Sequence, residues 1–223
     1  MIELLTWATP NGTKPSIMLE EVNLPYTIRL INPGSGEQRM PAFLAVSPNN
    51  KIPAILDHAD SGETRTIFES GAILIYLAEK TGQLLAQSGP RRDQAMSWLF
   101  WSMTGVGPTF GQLLHFVSSV DGPPAVIQRF ADEAARLMQV LEKRLEDVQF
   151  LAQDYSIADI GAFTWVKLTL ATVKRTAGES LGETPGVDRW LETIASRTAV
   201  QRGLRAPKLI IGRNKESTSS HPS

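Results

Sequence analysis

Two stretches of the chain carry residue types that can do chemistry together. Asn49-Asn50-Lys51-Ile52-Pro53-Ala54-Ile55-Leu56 reads as an apolar strand entered through a proline. Phe68-Glu69-Ser70-Gly71-Ala72-Ile73 sets an acid and a hydroxyl at the head of an apolar, helix-spaced run. Pro53 stands directly before the strand, where a missing N–H is tolerated and a cis bond is one way to form a tight entry. Such a bond turns the N–H and C=O of Ile52 toward solvent, where a peptide-like ligand can pair as an added strand would. Ser70 begins a helix, so its hydroxyl and the neighbouring free N–H groups can receive a carboxylate, while Glu69 can receive an ammonium. Together these residues describe a receptor for a small extended peptide with both charges at one end. The plainer alternative makes Ser70 the N-cap of its helix and Ile52 ordinary core. Thr9-Pro10-Asn11-Gly12 offers a hydroxyl and an amide that can donate, but by itself it reads as a good turn.

The elements around these residues follow from periodicity. Ile2, Leu4, Leu5 and Trp7 predict a short buried strand over 2–7. Helical spacing from Ser16 to Val22 stops at Asn23-Leu24-Pro25, and Tyr26 to Leu30 alternates as a second strand, parallel to the first in a β-α-β unit. Asn32 to Gly36 is loop, and a short helical segment from about Met40 to Val46 leads to the Pro53 strand. Thr64 to Phe68 predicts a further strand, paired through a turn around Asp60-Ser61-Gly62. Glu69 to Lys80 is an apolar helix ended by Thr81-Gly82. This β-α-β-α-β-β-α order is that of a thioredoxin-like domain, over 1–82.

Residues 83–90 read as a linker, and 91–207 as an all-helical domain. Arg91 to Met103 is apolar on several sides and is expected to be buried. Gly105-Val106-Gly107-Pro108 must kink or break it before Phe110 to Val117 resumes. Pro123 to Glu146 predicts a long amphipathic helix. Ser156-Ile157-Ala158-Asp159 is a capping box opening a helix to about Val173. Gly186 to Ser196 predicts another helix, followed by a short terminal one; 208–223 is expected to be a polar tail, disordered from Asn214 to Ser223.

Composition narrows the function classes. At 223 residues with 42% hydrophobic content the chain can bury a sizeable core. A formal charge of −1 gives no electrostatic case for nucleic acid or an anionic membrane. With no cysteine there is no disulfide, protein thiol nucleophile or thiolate metal site, and no metal is expected. Glu3 follows the start, no basic segment precedes an apolar core, and no apolar run approaches a membrane span. A cytoplasmic protein is the expectation.

With Asn50-Lys51-Ile52-Pro53, Glu69-Ser70 and Ser156-Ile157-Ala158-Asp159 in this order, the chain resembles a glutathione S-transferase over roughly residues 1–207. Thr9-Pro10-Asn11-Gly12, Ser47 to Ile55, Gly107-Pro108, Gly111-Gln112 and His115-Phe116 are similar to the bacterial nu class. That class is similar in turn to the yeast prion-type nitrogen regulators and is known for disulfide-bond oxidoreductase activity with glutathione. The resemblance implies that Ser70 and its N–H hold the γ-glutamyl carboxylate, that Glu69 holds the amino group, and that Gln38 contacts glutathione. It assigns Ile52 a backbone pairing and Pro53 a structural role. It also implies that Thr9 and Asn11 are the catalytic pair, donating to the glutathione sulfur. An arginine from the partner subunit of a homodimer is expected near glutathione, and Arg129 is the better match of Arg129 and Arg136. His115, Trp98 and Trp101 read as packed or surface residues.

A free thiol titrates near about 8.5, and each tenfold gain in thiolate takes about 1.36 kcal/mol of preferential stabilisation. Hydrogen-bond donors and a helix N-terminus are the available sources. Lacking cysteine, the protein must borrow its thiols: bound glutathione attacks a disulfide and a second glutathione resolves the product, which requires room for two glutathiones, or for one oxidised molecule, in the cleft between domains. Conjugation or peroxidase chemistry would use the same sulfur. The alternative is a non-catalytic glutathione-binding or protein-interaction module of the same fold.

Overall fold

The computed structural model describes residues 1–59, 61–119 and 122–219. Its contacts divide the chain into two units, Leu84–Ser196 and a first unit made of Met1–Gln83 together with the chain from Arg197 on. The strands of the first unit are β1 (Ile2–Thr6), β2 (Tyr26–Leu30), β3 (Ala54–His58) and β4 (Thr64–Phe68). They form one mixed sheet in the order β2-β1-β3-β4, with β1 parallel to β2 and the other pairs antiparallel. This is a thioredoxin-like arrangement. Its helices are α1 (Pro10–Glu21), the single turn α2 (Pro41–Leu44) and α3 (Ser70–Thr81). Of the turn expected between β3 and β4, Asp60 lies outside the described residues.

The second unit is helical: α4 (Pro90–Trp101), a π-helical turn over Ser102–Val106, α5 (Gly107–Ser118), α6 (Pro124–Asp147), α7 (Ile157–Ala177) and α8 (Pro185–Ala195). The expected stripe on α6 is its buried face, with Ala134, Leu137, Met138, Leu141 and Leu145 all inside. The capping box at the head of α7 is present. Asp159 is fully buried and accepts from the backbone N–H groups of Leu151 and Ser156, both at 3.0 Å, and from Trp190 Nε1 at 2.9 Å.

Four expectations need correction. The first helix starts at Pro10, not Ser16, because Thr9 caps it and proline suits its first position. Gly12 and Pro15 look like breakers, yet both lie inside it. A Cβ on Gly12 would stand 2.1 Å from the Trp7 carbonyl oxygen and 2.6 Å from Thr6 Oγ1, so glycine lets the helix press onto the end of β1. Second, α4 is not buried all round: only Ala95 and Leu99 are buried, and Phe100 is 54% exposed. Third, Gly105 to Pro108 do not break the chain's helical path. Gly105 and Val106 lie in the Ser102–Val106 π turn and Gly107 and Pro108 open α5, so the interruption of the α-helix takes the form of a π turn.

The fourth concerns the C-terminus. Instead of a short helix closing a domain at 207, α9 (Thr198–Ser219) belongs with the first unit. Its helix continues through much of the expected tail, and residues 220–223 lie outside those described. Contact with α1 is close because Gly203 has no side chain: a Cβ there would meet Ile17 Cα at 2.5 Å. Ser16 Oγ reaches the Gly203 carbonyl at 2.8 Å. Arg197 forks onto the nearly buried Glu21 carboxylate at 2.7 and 2.8 Å, and Arg202 pairs with Glu20 at 2.5 Å. Covered in this way, α1 is buried without interruption from Gly12 to Leu19.

Candidate functional site

Sheet topology gathers the candidate residues of the first unit. β1 and β2 run parallel, so the C-terminal ends of both lie at one edge. β3 is antiparallel to β1, which puts its first residues at that same edge, with Ala54 opposite Leu5. β4 is antiparallel to β3, and Phe68 pairs with Ala54, so Glu69 emerges beside Pro53. Thr9 and Asn11 follow β1, Gln38 follows β2, Ile52 and Pro53 precede β3, and Glu69 and Ser70 follow β4. The N-termini of α1 and α3 open there as well, each presenting the positive end of a helix dipole.

The Ile52–Pro53 bond is cis. The Ile52 side chain packs on the small core of Leu5, Ile31, Phe43 and Ala54. Among the described residues none hydrogen-bonds to its backbone. Ser47 Oγ ties down the preceding loop by donating to the Lys51 carbonyl at 2.9 Å.

Ser70 is the first residue of α3 rather than its N-cap. The cap position is taken by Glu69, whose side chain does not cap the helix and whose φ of +69° lies in the left-handed region. A non-glycine residue held there costs about 1–3 kcal/mol. The plainer capping role is therefore absent at Glu69, and the strained backbone turns its carboxylate elsewhere. Asn49 Nδ2 donates to Glu69 Oε1 at 3.0 Å. Ser70 is 6% exposed at the head of its helix.

Thr9 caps α1 by accepting from the Gly12 N–H at 3.1 Å, a bond that leaves its hydroxyl proton for another acceptor. Asn11 is in the first turn of α1, and its Oδ1 accepts from Lys14 Nζ at 2.9 Å. Lys14 is 1% exposed, and burial lowers its ammonium to about 7. Gln38 lies in the 3-10 turn Glu37–Arg39, with Nε2 at 3.4 Å from the Pro33 carbonyl and Oε1 buried without a hydrogen-bond partner among the described residues. Native folds seldom leave such an acceptor unmet, so Gln38 fits a ligand that brings a donor.

Arg129 stands apart from this edge in sequence and unit: it is exposed on α6 of the second unit, and no described carboxylate forms an ion pair with it. Arg136 instead pairs with Glu133 one turn along the same helix. His115 is exposed, and Trp98 packs edge-on against Trp101 with ring centroids 5.1 Å apart. Among the described residues no cluster of three or more His, Asp or Glu side chains could hold a metal, and no helix is long and apolar enough to cross a membrane.

Sequence reasoning missed two members of the site. Asn49 was visible within the loop motif but had no role until its amide was found on Glu69. Lys14 was hidden because it lies between the turn expected over 9–12 and the helix expected from Ser16; only in a helix begun at Pro10 does it fall one turn beyond Asn11.

Residues 8–80 match the family model for the glutathione S-transferase N-terminal domain, and residues 113–198 the model for the C-terminal domain. The chain is 45% identical to the disulfide-bond oxidoreductase YfcG of Escherichia coli, over 94% of this chain and 97% of that protein. A glutathione transferase family member from Pseudomonas fluorescens, solved with two glutathiones bound, superposes with a TM-score of 0.83 at 44% identity, covering 91% of this chain and 92% of that one. A glutathione transferase from Pseudomonas putida, with one glutathione disulfide bound per subunit, gives 0.85 at 40% identity, covering 92% and 91%.

Proposed function

The chain belongs to the glutathione S-transferase family, and from that footing we propose that it is a glutathione-dependent disulfide-bond oxidoreductase. The observation that carries this reading is the gathering, at one sheet edge, of two helix N-termini, the Ile52 backbone and the Glu69 carboxylate. In this reading glutathione lies along Ile52 as a short added strand. Its γ-glutamyl carboxylate meets Ser70 and the head of α3, its ammonium meets Glu69, and a peptide N–H supplies the donor that Gln38 Oε1 lacks. The sulfur then faces the head of α1, where the Thr9 hydroxyl and the Asn11 amide donate to it.

Two exchanges complete the reaction. The bound thiolate attacks one sulfur of a disulfide, forming a mixed disulfide and releasing the other half as thiolate. A second glutathione thiolate attacks the glutathione sulfur of the mixed disulfide, forming glutathione disulfide and freeing the remaining thiol. The reductant is glutathione throughout, so a chain without cysteine suffices. The two glutathiones in the P. fluorescens relative and the disulfide in the P. putida relative support room for both partners. We assign the protein to the cytoplasm, as a homodimer in which Arg129 of the partner subunit completes the anion site.

The test is an ultraviolet titration of glutathione bound to the protein, beside Thr9→Ala and Asn11→Ala, with turnover measured on a small disulfide. Each lost hydrogen bond to the thiolate is worth about 1.5–3 kcal/mol, so each variant is expected to lose about tenfold or more in thiolate fraction at neutral pH. Tight binding of glutathione with an unshifted thiol would instead favour a non-catalytic binding module.

A further inference from the structure

A carboxamide is nearly symmetric in shape but not in function. Its nitrogen end donates and its oxygen end accepts, and only the nitrogen end can stabilise a thiolate. Something must therefore fix which end of Asn11 faces the sulfur. We propose that Lys14 is a positioning residue, whose ammonium holds Asn11 Oδ1 so that Nδ2 is presented as the thiolate donor. This rests on the reading of Asn11 given above.

The geometry makes the selection. Lys14 Nζ lies 2.9 Å from Asn11 Oδ1. An ammonium carries only donors, so it can hold the oxygen end and cannot hold the nitrogen end. Both residues sit on one rigid helix three positions apart, which puts them on the same face. The lysine is also placed where it is expensive. It is 1% exposed within a run of buried residues, a setting that normally excludes lysine. A methionine of similar length would fill the space without desolvating a charge. The bond to Asn11 Oδ1 is a contact that a lysine makes here and a methionine would not. The bond has a second effect: a charge-assisted contact at the oxygen polarises the amide and makes its N–H groups stronger donors. Burial lowers the Lys14 ammonium to about 7, so a thiolate forming beyond Asn11 would in turn favour its charged form.

The experiment compares full-length wild type, Lys14→Met, Asn11→Ala, Asn11→Asp and the Lys14→Met/Asn11→Ala double variant. For each, the bound glutathione thiol is titrated in the ultraviolet, and kcat and KM for glutathione are measured in disulfide exchange. Lys14→Met is expected to lower the thiolate fraction and kcat by about tenfold, with KM for glutathione little changed. The double variant should be no worse than Asn11→Ala alone, because Lys14 acts through Asn11. Asn11→Asp keeps an acceptor for Lys14 but has no donor, and is expected to lose as much as Asn11→Ala. A Lys14→Met protein whose bound thiol titrates as in wild type, beside an Asn11→Ala protein whose thiol has moved toward the free value, would overturn the role of Lys14 and leave the proposed function standing. Additive losses, or an Asn11→Asp protein as active as wild type, would overturn it too. If Asn11→Ala itself leaves the thiol unshifted, the underlying reading of Asn11 fails first.

Discussion

Glu69 combines a strained backbone with a carboxylate that does not cap its own helix. Strain of that kind persists where the surroundings over-determine it, and here the β4 ladder and the Asn49 amide do so. Glu69→Gln keeps an oxygen for Asn49 and the same shape but removes the charge offered to an ammonium. Glutathione affinity is expected to fall by about tenfold to a hundredfold, with the thermal midpoint unmoved, when measured by calorimetry and melting. The acid beside a helix-opening serine could be found in the sequence, since type and spacing carry that signal. Its left-handed conformation could not, because nothing in a glutamate's own chemistry favours it. Lys14 was illegible for a different reason: burial of a lysine depends on which helices cover it, and those come from distant parts of the chain.

At the level of elements, two contacts decide where helices sit. Gly203 brings α9 against the backbone of α1, and the gap admits no Cβ. Gly203→Ala is expected to destabilise the protein by about 1–3 kcal/mol through overpacking, read as a shift in the urea midpoint. On α7, Asp159 gathers donors from Leu151, Ser156 and Trp190. Asp159→Ala leaves these buried donors unmet at about 1–3 kcal/mol each, so a loss of at least about 3 kcal/mol is expected by chemical denaturation. The capping box was readable because Ser and Asp three apart before an apolar run have a local cause. The bond from Trp190 was not, being a contact across 31 positions. The start of α1 was misread because Thr9-Pro10-Asn11-Gly12 was judged on turn propensity, and close approach of Gly12 to β1 overrides propensity.

Across the whole molecule, acid should act partly through Asp57. Burial raises its carboxyl, but hydrogen bonds from Lys80 and Tyr76 and the charge of Lys80 outweigh that and hold it below its ordinary value of 3.8. Lys80 Nζ stands at 2.7 Å and Tyr76 Oη at 2.5 Å, joining α3 to β3. A depressed carboxyl contributes stability that is fully present above pH 3.8 and is lost as pH falls through the folded value. Asp57→Asn is therefore expected to flatten the fall of the thermal midpoint below pH 3.8, and a profile as steep as wild type would count against it. At this scale the order β-α-β-α-β-β-α and the helical second half were legible, because periodicity is local. The return of the C-terminal helix was not, because its cause is a glycine meeting a backbone 186 positions away.

That return has a consequence for the protein as it is made. Chains leave the ribosome N-terminus first, and an early domain ordinarily folds before later ones appear. Here the helix that begins with Pro10, Asn11 and Gly12 is covered on one side by residues from Arg197 onward. The first unit thus joins residues 1–83 to residues from Arg197 on, with the whole second unit made in between. A nascent chain halted at Ser196 has all of its second unit and every proposed ligand-binding residue, yet the face of α1 that α9 covers is bare. Synthesis past Arg197, rather than emergence of residues 1–83, sets the moment at which the helix carrying Asn11 gains this cover.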